Sequence, residues 1–280
     1  MTARAPLSGG YVADAVERVD LGTGDGTVSV VVKRTTAVEV AALRALAVVR
    51  GVDGPRLLAA GADWVVVPHH TGHPLPEGPD VPDELWTALA RVHAHWLRKR
   101  PRGVPVADAA WWRGLCRDRI VPHVAAAHGR TGDTRFAAAA AAVAEMADDP
   151  RMQVAAAMLP RTLVHGDAHR GNVLTGPDGV VLIDWGNAKV APPGLDLAVL
   201  RAQGAVDESP YRRAFAELAG EPPDELTAVE TCWADVRAHV GYMGFAAEHL
   251  GPERVAELAA GARSALEALG PALDAVRVRS

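Results

Sequence analysis

A β-rich island at residues 162–183 constrains this chain more than any other feature, because it interrupts a stretch that otherwise reads as Ala-rich helix. The island runs Leu163-Val164-His165-Gly166-Asp167-Ala168-His169-Arg170-Gly171-Asn172-Val173-Leu174, turns at Pro177-Asp178-Gly179, and continues Val180-Val181-Leu182-Ile183-Asp184-Trp185-Gly186. Two apolar, β-branched runs around a tight turn predict a hairpin. Such a hairpin sets the end carrying Asp167 and Asn172 beside the end carrying Asp184. A carboxylate and an amide oxygen at one spot suit Mg²⁺, a hard cation that takes few protein ligands. The second carboxylate is then free to orient a hydroxyl and accept its proton. Asp and Asn also start turns, and His165 fits a core histidine, but several specified residues at fixed spacing weigh against those ordinary explanations.

The rest of the composition narrows the class. The chain has 280 residues, 49% hydrophobic and 22% charged, enough for one large domain or two small ones and unlike a disordered or fibrous protein. With 29 basic and 34 acidic residues, the net charge of -5 disfavours nucleic acid as a partner and is compatible with a cationic small substrate. Cys116 and Cys232 lie far apart without a CxxC neighbourhood, so both are expected to be reduced and buried rather than bound to zinc or each other. No segment reads as a signal peptide or membrane span, which makes a soluble cytoplasmic protein with no membrane contact the expectation. Only three of the 29 basic residues are lysines, Lys33, Lys99 and Lys189, so each carries some diagnostic weight.

Along the chain, residues 13–20 and 28–34 read as strands around a Gly-rich turn at 22–27, followed by a helix over 38–50 and a strand over 64–67. A Pro- and Gly-rich stretch, 68–82, reads as a linker between lobes. Helices are predicted over 83–98, 111–127, 135–147, 211–219, 225–250 and 252–269, and no internal repeat is visible.

His165-Gly166-Asp167, four residues, Asn172, then Ile183-Asp184-Trp185-Gly186 and Asp196-Leu197-Ala198 give a pattern that resembles the aminoglycoside phosphotransferase and choline kinase family of small-molecule kinases. The resemblance implies an α+β, two-lobed protein-kinase-like fold with a reduced β-rich N-lobe and a mostly helical C-lobe. On that plan residues 1–68 form the nucleotide-binding lobe, 69–82 the hinge, and 83–280 the C-lobe with the catalytic loop and a helical substrate-binding region. The same resemblance implies Asp167 as the catalytic carboxylate, Asn172 and Asp184 as metal ligands, Asp196 as the acceptor bracing the catalytic loop, and His169 as a phosphate contact. ATP or GTP with Mg²⁺ is the implied cofactor set.

The nucleotide grip must then come from the N-terminal residues. Lys33 ends the apolar run 28–32, where a phosphate-binding lysine of such a fold stands. Glu39 is its candidate partner, although Thr36-Ala37-Val38-Glu39 also fits a capping box in which Glu39 reaches back to the Thr36 amide. Ser8, Gly9 and Gly10 occupy the place of the nucleotide loop, whereas Gly22 to Gly26 reads as a connector. The segment from Trp64 to Leu75 resembles the hinge, with the Pro68 carbonyl and the His70 amide facing an adenine; proline is acceptable there because only its carbonyl is used. Three histidines at 69, 70 and 73 sit on a poor frame for a metal.

Substrate contacts are less legible. Asp207, Glu208, Glu230, Asp235 and Glu248 are acidic candidates that read equally as solvated helix charges, and Trp111, Trp112 and Trp233 read as core. The resemblance implies transfer of a γ-phosphoryl group to a small-molecule hydroxyl. A cationic antibiotic, an aminoglycoside or basic cyclic peptide, leads as acceptor, with resistance as the consequence. A metabolic role on choline, a sugar or an amino-alcohol is the alternative within the class. A catalytically silent nucleotide-binding regulator is the alternative outside it, and the presence of Asp167, Asn172 and Asp184 together speaks against that. A protein kinase is disfavoured by Gly166, Trp185 and the lack of an Ala-Pro-Glu-type segment after Asp184.

Overall fold

A computed structural model describes residues 3–7, 16–177 and 179–279. Strands β1 (Ala3–Pro6), β2 (Val16–Thr23) and β3 (Gly26–Arg34) run antiparallel, and the β2–β3 turn closes where Thr23 Oγ1 donates to the Gly26 carbonyl at 3.0 Å. Helix α1 (Ala37–Leu46) follows, and β4 (Ala59–Ala60) and β5 (Trp64–Pro68) complete a sheet in the order β1-β2-β3-β5-β4. The sheet buries Val19, Val30, Val65 and Val67, and α1 turns Val40, Leu43 and Leu46 inward. The β-branched runs that read as strands therefore supply this small core, as period-two alternation requires.

After β6 (His73–Pro74) the chain becomes helical: α2 (Asp83–Trp96), α3 (Ala109–Gly114), α4 (Val121–Thr131), α5 (Thr134–Met146) and α6 (Pro150–Met158). A π-helical turn, Leu115–Ile120, joins α3 to α4. Asp108, Asp133 and Asp149 each cap the helix that follows, their carboxylates accepting from Trp111, Arg135 and Arg151 amides. Strands β7 (Thr162–Val164), β8 (Val173–Gly176), β9 (Gly179–Leu182) and β10 (Lys189–Ala191) form the island, followed by α7 (Gly194–Arg201), α8 (Ser209–Ala219), α9 (Asp224–His249) and α10 (Pro252–Arg279). Helix α10 runs past the expected end at 269 and accommodates Pro271 within it.

Two apolar clusters hold the molecule together. One joins β5 and α1 to Leu85, Trp86 and Leu89 of α2 and to Leu163, Val173, Leu182 and Trp185 of the island, so the small sheet and the island share a core. The other lies among α3–α6, α9 and α10, where small Ala side chains let the helices approach closely.

Several details differ from the sequence expectations. The island hairpin is β8–β9, paired from Val173↔Leu182 to Gly176↔Gly179, whereas β7 pairs with β10. The first arm is therefore not one strand from Leu163 to Leu174, because the chain leaves β7 after Val164 and loops through residues 165–172 before β8. The Pro- and Gly-rich stretch is anchored: His73–Pro74 pairs with Thr175 and Leu174, and buried Arg170 donates to the Pro76 and Asp80 carbonyls at 2.7 and 2.9 Å and to that of Gly78. Cys116 is buried, but Cys232 is only half-buried. Helices α6 and α7 were not expected, because each is short and its apolar period is brief. Among the described residues, no helix is long and apolar enough to cross a membrane.

Candidate active site

The loop from His165 to Asn172 is braced from below by Asp196, the third residue of α7. Asp196 is fully buried, and its carboxylate accepts from the His165 amide at 2.8 Å, the Gly166 amide at 2.7 Å and His93 Nε2 at 3.2 Å. Burial opposes its ionisation, but His93 first, and the Gly166 amide among the rest, outweigh burial and hold the carboxyl below its usual value. His93 in turn meets Tyr211 Oη through Nδ1 at 2.9 Å, which satisfies the second ring nitrogen. His165 Nδ1 accepts from the Asp167 amide at 3.2 Å, so its proton resides on Nε2, which donates to the Ile183 carbonyl at 2.8 Å. Burial keeps this imidazole neutral by pushing its pKa down. It is the core histidine that its position allowed, and its ring packs edge-on against Trp185 with centroids 4.8 Å apart.

Asp167 therefore stands on a rigid loop. Its Oδ2 accepts from Asn187 Nδ2 at 3.0 Å, and its carbonyl accepts from Asn172 Nδ2 at 3.0 Å. That second bond commits the Asn172 amide nitrogen and leaves its oxygen as the atom that could ligate a cation. The Ile183 amide donates to the Asn172 carbonyl at 2.8 Å, which ties the residue before Asp184 to the loop. Asp184 adopts a left-handed backbone, φ +63°, so the chain bends sharply and its side chain stands exposed at the end of β9.

Lys33 approaches Asp184 from the small sheet. On β3 it shares a face with Val31, and its Nζ lies 2.9 Å from Asp184 Oδ1 and 2.7 Å from Glu39 Oε1. Thr36 caps α1 without a side-chain bond, so Glu39 does not close a capping box; it accepts instead from Lys33 and Thr35 Oγ1. Burial disfavours the Lys33 charge, but the two carboxylates overcome it and raise the pKa. For Asp184, partial desolvation by the surrounding loop opposes ionisation although the side chain keeps 57% exposure, and Lys33 overcomes it, lowering the pKa.

The remaining expected positions divide. His169 is half-buried, its Nδ1 accepting from the Gly171 amide at 3.0 Å to cap the turn Arg170–Asn172. Pro68 ends β5 opposite Val30, and the next residue, His69, donates its amide to the Ser29 carbonyl at 3.1 Å. Pro68 thus occupies a position where the ladder needs no N–H, and its carbonyl turns away from β3. Ser8, Gly9 and Gly10 lie outside the described residues. The acidic candidates are already engaged: Glu208 and Asp235 pair with Arg201, Asp207 caps Ser209, Glu230 accepts from the Gly194 amide at 2.6 Å, and Glu248 lies 3.8 Å from His249. A cavity of about 190 Å³ between α7, α8 and α9 is lined by Glu230 and Arg201 but by none of Lys33, Asp167, Asn172 or Asp184.

Sequence reasoning missed the groups behind Asp167. Lys189 is buried and donates to the Asn187 carbonyl, and Arg237 of α9 is buried with no partner for its Nε. Both cations face Trp111, at 5.8 and 4.9 Å from its ring centroid, so Trp111 is not simply a core residue, while Trp112 and Trp233 are. The scarcity of lysine was the available signal, since Lys189 is one of only three.

This arrangement has relatives. Residues 4–231 match the model of the phosphotransferase enzyme family. A choline/ethanolamine kinase family protein from Mesorhizobium loti shares 17% identity with a TM-score of 0.62, covering 96% of this chain and 94% of that one. A choline kinase from Streptococcus pneumoniae shares 15% identity with a TM-score of 0.60, covering 96% and 93%, and the corresponding values for a macrolide 2'-phosphotransferase from Brachybacterium faecium are 18%, 0.54, 90% and 90%. At these identities the likeness is one of fold. No curated protein matches the chain. The family match covers most of the chain, including the loop, Asp184 and Asp196, and the chain therefore belongs to the phosphotransferase enzyme family, as a small-molecule kinase on a two-lobed α+β fold.

Proposed function

We propose that the protein transfers the γ-phosphoryl group of a nucleoside triphosphate, ATP or GTP, to a hydroxyl of a small molecule held beside Asp167. The observation that carries this reading is the juxtaposition of the Lys33–Glu39 pair with Asp184, beside a loop that fixes Asp167 and Asn172. Asp167 accepts the hydroxyl proton as the oxygen attacks, and its hydrogen bond from Asn187 sets which carboxylate oxygen remains available. Lys33 meets the phosphates as a point charge, and Glu39 keeps it extended across the cleft. The Pro68 carbonyl and His70 amide serve the adenine, and Ser8 to Gly10 the phosphates.

Asn172 and Asp184 fit Mg²⁺: both offer hard oxygen donors, the Asn172 nitrogen is committed elsewhere, and two protein ligands leave positions for water and phosphate. The cation supplies charge neutralisation for the phosphates when bound. His169 accepts from the Gly171 amide through Nδ1, which puts its proton on Nε2 as a donor for a phosphate oxygen.

Antibiotics belong among trial acceptors because one similar fold is named for macrolides, and choline because others are named for it. A cytoplasmic site of action, where the triphosphate is supplied, fits this reading. The test is ADP release in the presence of Mg²⁺ against aminoglycosides, basic peptides, macrolides, choline, sugars and hydroxy acids. Acceptor-stimulated release supports the kinase; tight nucleotide binding without stimulation by any acceptor supports the silent regulator.

A further inference from the structure

The acceptor side of Asp167 carries a charge pattern that the phosphate side does not explain. Lys189 is 5% exposed and Arg237 8% exposed, yet among the described residues neither has a carboxylate within ion-pair distance. Lys189 feels the charge of Asp196 and, less strongly, of Asp167; Arg237 feels that of Asp167; and both also feel exposed Arg119, on the turn between α3 and α4. Burial first, and mutual repulsion after it, lowers Lys189 to about 7 and burial lowers Arg237 to about 10. Two cations held out of water without an ion-pair partner are unfavourable, and a bound anion would relieve both.

The local backbone makes room for both. A Cβ at Gly166 would overlap the Lys189 ammonium and the Asn187 carbonyl, and a Cβ at Gly241 would overlap the Arg237 guanidinium. Arg237 thus lies along α9 across its own i+4 position, stacked on half-buried Trp111, with its Nε unmatched. Asp167 is the one carboxylate whose field reaches both cations strongly enough to matter, and the proposed chemistry already uses it.

We propose that the acceptor is a hydroxyl-bearing organic acid whose carboxylate docks at Arg237 and Trp111, with Lys189 reinforcing the field from beneath the catalytic loop. This rests on the proposed function only in placing the hydroxyl at Asp167; the anion site stands on its own residues. It departs from the cationic acceptor suggested by the net charge of -5, because a charge spread over the whole surface acts at longer range than two buried cations at the loop.

The experiment compares D-glycerate, D-gluconate and phenyllactate with their methyl esters, and with choline and serinol as cations. Binding to the full-length protein is read by tryptophan fluorescence and phosphoryl transfer by ADP release. At least one acid is expected to bind tenfold or more tightly than its ester, with Arg237→Met removing that preference while the KM for ATP stays unchanged. Arg237→Lys retains charge without the planar fork and is expected to fall between the two. If the Arg237→Met protein does not fold, the acid-over-ester ratio in the wild type and in Arg237→Lys decides. Equal binding of acid and ester, no binding by any acid, or preference for the cations overturns the proposal. Acid-selective binding without phosphoryl transfer would leave the anion site standing and overturn the kinase reading instead.

Discussion

Lys33 Nζ lies 2.9 Å from Asp184 Oδ1, a bond between residues 151 positions apart that joins the small sheet to the end of the island hairpin. One cation thus sets the distance between the proposed phosphate grip and the proposed metal ligand. Replacing it with Lys33→Met leaves Glu39 buried without its cation and Asp184 unopposed. The KM for nucleotide is expected to rise by about tenfold or more, the equivalent of about 1.4 kcal/mol, in steady-state kinetics with the far-UV spectrum unchanged. An unchanged KM would return Lys33 to a structural ion pair.

Asp196 presents a different kind of dependence. Its two oxygens accept from two amides and an imidazole in a fully buried position, and an amide side chain can offer only one oxygen to them. Asp196→Asn should leave a buried donor facing a donor, at about 1–3 kcal/mol or more. Thermal unfolding is expected several degrees lower, with turnover lost in proportion greater than stability, since the loop that it braces holds Asp167. A variant with full turnover would show that Asp196 does not position the loop.

How much of this was legible in the sequence depends on how local the cause is. The β-branched runs at β3 and β5 and the turn at Gly179 declare themselves, because strand period and turn chemistry act over a few residues. Asp167, Asn172 and Asp184 stand out as candidates through their spacing and the family pattern that it matches. The clamp of Arg170 on the Pro76 and Asp80 carbonyls was not legible, because a guanidinium reaching across ninety or more residues leaves no periodic trace. The same holds for His93 under Asp196 and for Arg237 over Trp111, which meet only after α2 and α9 have packed.

Lys189 makes stability depend on pH in a defined direction. Burial, aided by Arg237, lowers its pKa from 10.5 to about 7, so between those values the unfolded chain binds the proton that the folded one does not. Stability therefore rises with pH from about 7 to about 10, by up to about 1.4 kcal/mol per unit, and the full penalty applies below pH 7. In urea titrations Lys189→Met should be more stable than the wild type near pH 6.5, and the difference should vanish by pH 10. A difference that does not change with pH would contradict the buried, depressed lysine.

Gly166 is the position where the loop tolerates no side chain. Its φ is +78°, and a Cβ there would overlap the Asn187 carbonyl as well as Lys189. Gly166→Ala adds about 1–2 kcal/mol for the left-handed backbone before the overlap is counted. Turnover is expected to fall at least tenfold with only a modest loss of melting temperature, because the displacement is confined to the residue preceding Asp167. Unaltered turnover would mean that the loop has slack.

On the proposed mechanism Asp167 takes the proton of an acceptor hydroxyl. That role is tested most directly by Asp167→Asn, which keeps size and the contact with Asn187 while removing the base. With the best acceptor from the ADP-release panel, kcat is expected to fall by about a hundredfold or more, with nucleotide affinity within a few-fold of wild type. A kcat within a few-fold of wild type would contradict the assignment of Asp167 and, with it, this account of the site.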